Sequence, residues 1–62
     1  MSMSQVYNPE SDIIAEIERL ELEARSARRR IEHARNENDK RVLNRQLNEM
    51  QEEIEILRAK LV

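Results

Sequence analysis

The residues that come nearest to a metal site are His33 and Glu37, which lie four positions apart. On a helix this spacing puts both side chains on one face, and imidazole nitrogens and carboxylate oxygens are common zinc ligands. A zinc site needs three or four protein ligands, and the chain has no other histidine and no cysteine. We therefore predict that His33 is an exposed helical residue and that the protein binds no metal and no cofactor.

The other side chains suited to catalysis are not arranged for it. Glu52 and Glu53 are neighbours, so a helix points them about 100° apart, whereas a general acid–base pair must converge on one substrate. The four serines have no histidine at a suggestive spacing, and without glycine the chain has no loop to hold a phosphate. We predict that the protein is not an enzyme and has no small-molecule substrate.

Charge is segregated along the chain. Residues 1–24 have a net charge of −5, residues 25–45 have +5, and residues 46–62 have −2. The basic side chains of the middle segment are candidate contacts for an acidic partner or for phosphate: Arg25, Arg28, Arg29, Arg30, Arg35, Lys40, Arg41 and Arg45. Their stretch RSARRRIEHAR loosely resembles an arginine-rich RNA-binding helix. Acids interrupt the segment and no stacking aromatic accompanies it, so nucleic-acid binding is kept as an alternative function.

The composition indicates long helices that need a partner. Charged and hydrophobic residues each make up 39% of the 62 residues, a balance typical of long helices and coiled coils. A chain this short rarely builds a self-sufficient core, and without cysteine it has no disulfide to compensate. We expect a homo-oligomer, with a dimer favoured. No apolar run is long enough for a membrane span and no secretory signal is recognisable, so we expect a cytoplasmic protein.

Two series of apolar residues with alternating four- and three-residue spacing predict two helices. The first series is Ile13, Ile17, Leu20, Ala24, Ala27, Ile31 and Ala34, and the second is Leu43, Leu47, Met50, Ile54, Leu57 and Leu61. Nine residues separate Ala34 from Leu43, which is about two and a half helical turns, so one straight helix would present the two series on opposite faces. A turn between them lets the series face each other. We therefore predict an all-α, antiparallel, coiled-coil-like helical hairpin, with one continuous two-faced helix as the alternative.

The expected boundaries follow from capping signals. Residues 1–8 are predicted to form a flexible tail, and helix 1 to span about 9–35, with Asn8 as its cap and Pro9 at its first position. Ser11 is the competing cap. The turn is predicted at about 36–38, with Asn36 in a left-handed conformation. Helix 2 is predicted to span about 39–61, capped by Asn38 or Asp39.

A two-helix seam leaves apolar side chains partly open to water, so we predict that two hairpins associate into an antiparallel four-helix dimer. This packing is similar to that of the Rop family of plasmid RNA-binding proteins. The thirteen residues of the two series form the predicted self-association core, and Leu22, Val42 and Ile56 are a candidate docking surface. The predicted function is protein–protein interaction as an adaptor, chaperone-like or scaffolding module. A further alternative is an obligate helical subunit of a larger assembly.

Overall fold

The computed structural model describes residues 9–62, and the predicted tail with its Asn8 cap lies outside them. Two helices, α1 (Pro9–His33) and α2 (Glu37–Ala59), pack against each other, and residues 34–36 connect them. Arg58 bonds to Glu21, 37 positions away and far from the connection, so the helices run antiparallel. The prediction of an all-α fold with two helices packed together is confirmed, and the continuous helix is excluded.

The turn is formed differently from the prediction. Asn36 caps α2: its backbone is extended, with φ −120° and ψ 156°, and its side-chain oxygen accepts the Asp39 backbone N–H at 2.8 Å. The side-chain amide of Asn36 also donates to the Asp39 carboxylate at 3.0 Å. The expected left-handed Asn36 is wrong, because no residue in the described range has a positive φ. Asn38 and Asp39 lie inside α2 and are not its cap.

Capping at Asn36 moves the helix boundaries. α1 ends at His33 and α2 begins at Glu37, each two residues earlier than expected. At the other end α2 closes after Ala59, where the backbone N–H of Lys60 donates to Leu57 and that of Leu61 donates to Arg58. Both bonds span three residues, where a regular α-helix spans four, and they satisfy carbonyl groups that would otherwise have no donor at the end of the helix. The regular helix therefore stops before residue 61.

Replacement of the cap tests this description of the turn. We expect Asn36→Ala to lower the free energy of unfolding by about 1 kcal/mol, because the Asp39 N–H loses its acceptor. The matched control is Asn38→Ala, since Asn38 lies in the first turn of α2 and makes no side-chain hydrogen bond within residues 9–62. Urea unfolding followed by circular dichroism measures both variants. Equal losses in the two variants would contradict the assignment of the cap.

The core is one layer of side chains between the helices. Ile17, Leu20, Ile54 and Leu57 form a buried cluster, with Ile13, Met50 and Leu61 packed against it. Nearer the turn the buried residues of α1 are small, Ala24 and Ala27, which lets the helices approach closely. All thirteen residues of the predicted seam are buried or half-buried within the hairpin.

Candidate interaction surface

In the open half of the hairpin, residues 9–24 and 46–62, the arginines are bonded to neighbouring carboxylates. Arg19 is bonded to both Glu16 and Glu23. Arg58 crosses from α2 to Glu21 at 2.6 Å and lies 3.5 Å from Glu55. Hydrogen bonding from Arg19 holds the pKa of the Glu16 carboxyl below its ordinary value of 4.5, and the same contacts raise the pKa of Arg19. Both arginines of the open half are therefore engaged by carboxylates.

The turn half, residues 25–45, differs from the open half in the pairing of its arginines. Lys40 lies 3.5 Å from Glu37. The seven arginines of this half form no salt bridge with any residue in the described part of the chain: Arg25, Arg28, Arg29, Arg30, Arg35, Arg41 and Arg45. All seven are exposed. The turn half therefore presents a positive surface that the hairpin itself does not neutralise.

One broad side of the hairpin carries a groove of about 520 Å³, and we call it the Arg28 side. Ala24 of α1 and Ile54 of α2 line this groove, as do Arg25, Arg28 and Gln51. The pair formed by Arg58 and Glu21 borders the same groove toward the open end. The Arg28 side thus combines exposed guanidinium groups with apolar residues of the seam.

The opposite broad side carries a groove of about 270 Å³, and we call it the Arg30 side. Ala27 and Met50 line it, with Arg30, Glu23 and Gln46 also at its surface. Glu23 is already held by Arg19 at 2.6 Å. This side therefore has a smaller groove, and one of its charged lining residues is neutralised within α1.

The exposed apolar residues are scattered. Leu22, Val42 and Ile56 are 61%, 45% and 54% exposed. Val42 and Ile56 share a row of α2 but are 14 residues apart, which is about 21 Å along the helix. Leu22 lies on the face of α1 opposite the seam, since it is two residues beyond Leu20 and five beyond Ile17. The structure does not bring these three residues of the predicted docking surface into one patch.

The residues with potential for chemistry lie apart. His33 is exposed at the last position of α1, and Glu37 is exposed at the first position of α2, so no common helix places them on one face. Within residues 9–62, no group of three or more histidine, cysteine or acidic side chains is placed to hold a metal ion. Glu52 and Glu53 are both exposed on α2.

Sequence reasoning missed one feature of this surface. Glu21 lies four residues before Arg25, a spacing that supports helices, whereas its bonded partner is Arg58 of the other helix. This pairing depends on the register between the helices, and the sequence pattern of either helix alone contains no signal for it. By contrast, the placement of Arg28 and Arg30 on opposite sides of the hairpin follows from their separation of about 200° on one helix.

Neither described helix combines the length and the apolar character that crossing a membrane requires. Comparison of the chain with known protein families, curated proteins and solved structures found no match.

Proposed function

We propose that the protein is a small non-enzymatic protein–protein interaction module, acting as an adaptor, chaperone-like or scaffolding protein through a self-associating helical hairpin. The observation that carries the proposal is the thin core. Six apolar residues of the described chain are buried, and none of them is fully buried. The remaining seven seam residues are half-buried, so the seam stays open to water on the broad sides of the hairpin.

A second hairpin laid on one broad side would cover this seam. Four-helix bundles close their cores in this way, with inward-facing residues from all four helices. The charge distribution favours an antiparallel second copy, because that orientation sets each positive turn half beside the other copy's acidic open half. A parallel arrangement would set like charges together.

Contact with a different protein is then made by side chains that the bundle leaves outside. Leu22 points away from the seam and is 61% exposed, and Ile56 is 54% exposed on the outer part of α2. Each is an isolated apolar side chain on a charged surface, one on α1 and one on α2. This arrangement suits a partner that contacts the two helices at separate places.

The absolute mass of the protein in solution tests this proposal. We expect light scattering after size exclusion to give twice the 7.4 kDa of one chain, at low and at high salt, because apolar burial closes the bundle. A mass of one chain across a concentration series would contradict self-association. If that monomer were also weakly helical by circular dichroism, an obligate subunit of a larger assembly would replace the proposed function.

A further inference from the structure

The arrangement of charge on the two broad sides differs enough to indicate which one receives the second copy. A twofold dimer is isologous, so the same surface of both copies must be complementary to itself. The surface therefore needs both signs of charge, separated along the hairpin.

The Arg28 side meets this requirement. In its turn half Arg25 and Arg28 line the groove and form no ion pair within residues 9–62. Arg41 lies on the same row of α2 as Glu55, which also lines the groove. In its open half Glu18 lies one heptad before Arg25, on the same face of α1. The basic residue Arg58 also lines that half, and it forms salt bridges with two glutamates, Glu21 and Glu55. The side is thus basic near the turn and acidic away from it.

A single row of α1 shows the complementarity residue by residue. Ile14, Glu21 and Arg28 follow at seven-residue intervals and share one face. A twofold axis midway between Glu21 and Arg28 places the glutamate of each copy opposite the arginine of the other. Glu21 holds Arg58 through Oε2, and a carboxylate has a second oxygen that can accept from another guanidinium. Ile14, which is 46% exposed, is on the same row, and in this arrangement the turn half of a second copy would cover it.

The Arg30 side meets the requirement less well. Its row of α1 reads Glu16, Glu23 and Arg30, and its glutamates are bonded to Arg19 as Glu21 is bonded to Arg58 on the other side. The position that corresponds to Ile14 on the Arg28 side is here the charged Glu16, so this row offers no apolar residue to bury. Its groove, about 270 Å³ against 520 Å³, is also the smaller one.

We infer that a second copy of this chain lies antiparallel across the Arg28 side, with Glu21 of each copy paired to Arg28 of the other. This inference rests on the proposed self-association and names the surface that performs it. The occupant is identified by complementary charge, since the acids that match the exposed arginines are on the same face of the same protein.

The consecutive residues Arg28, Arg29 and Arg30 provide an internally controlled test. All three are exposed in the middle of α1 without an ion pair in the described chain, and successive helical residues point about 100° apart. Arg28→Glu, Arg29→Glu and Arg30→Glu therefore make the same change in charge on three different faces. By sedimentation equilibrium at low salt we expect Arg28→Glu to weaken association at least about tenfold and the other two less than about threefold.

A charge swap between two proteins strengthens the test. In the homodimer of either variant, Arg28→Glu or Glu21→Arg, residues 21 and 28 carry the same charge. Each homodimer therefore contains two repulsive contacts between these positions. A mixture of the two variants restores both opposite-charge pairs, so we expect a heterodimer to form in preference to either homodimer. Circular dichroism is the folding control: a variant whose helicity equals that of the wild type has a folded hairpin.

The possible failures are distinguishable. A wild-type protein that stays monomeric overturns the proposed self-association and this inference together. A wild-type dimer that loses affinity equally in all three reversals, or most in Arg30→Glu, overturns the inference alone. So does an Arg28→Glu variant that keeps its dimer mass but loses retention on heparin, because its arginine then serves a polyanion.

Discussion

Leu20→Ala is expected to lower the free energy of unfolding by about 2–3 kcal/mol, because it removes a side chain from the centre of the apolar cluster and leaves a cavity. Leu20 is 7% exposed and packs with Ile17, Ile54 and Leu57. In a domain of this size such a loss corresponds to a thermal midpoint lower by roughly 10–20 °C. Thermal and urea unfolding followed by circular dichroism, at matched protein concentration, measure the change.

Leu22→Ala is the matched control, because the same residue type is replaced on the same helix two positions away. Leu22 is 61% exposed on the face opposite the seam. Its replacement is expected to change stability by less than about 0.5 kcal/mol, as is usual for surface positions away from special contacts. If Leu22→Ala proved as costly as Leu20→Ala, the described seam would not be the face of α1 that holds the protein together.

Ala24→Leu is expected to destabilise the protein by about 1–3 kcal/mol for the opposite reason. Ala24 is 2% exposed, and with Ile54 it lines the groove between the helices. A larger side chain at this position must push the helices apart or leave its preferred rotamer. The helices then lose contact along the seam, where Leu20 and Leu57 belong to the buried apolar cluster.

Ala15→Leu makes the same substitution at an exposed position of α1. Alanine and leucine are both strong helix formers, so this control is expected to change stability by only a few tenths of a kcal/mol. The free energies of unfolding of both variants come from the same urea titration. A stable, unchanged Ala24→Leu protein would show that α1 and α2 are not in close contact at this level.

Much of the fold could be predicted from periodicity. The four- and three-residue spacing identifies the inward face of each helix, because side-chain direction along a helix repeats every 3.6 residues. The shift in phase between Ala34 and Leu43 likewise indicates a turn, since one straight helix would separate the two series. These are local properties, and a single sequence contains them completely.

The turn itself could be predicted only in part. Asn36, Asn38 and Asp39 are all able to cap a helix, so their chemistry does not select among them. The choice depends on where α1 stops and on which connection lets the two seams meet. In the structure Asn36 is extended and accepts the Asp39 N–H, which starts α2 at Glu37. The choice among several candidate capping residues of similar intrinsic strength thus depends on the packing between the helices.

The sequence by itself determined which residues face inward, that the chain turns back, and that positive charge concentrates near the turn. Only the tertiary structure decided the cap and the pairing of Glu21 with Arg58. The physical reason is the range of the interactions. Helical periodicity is set by neighbours a few residues apart, whereas contacts across the hairpin depend on the register of two helices, which the connection and the packed seam set together.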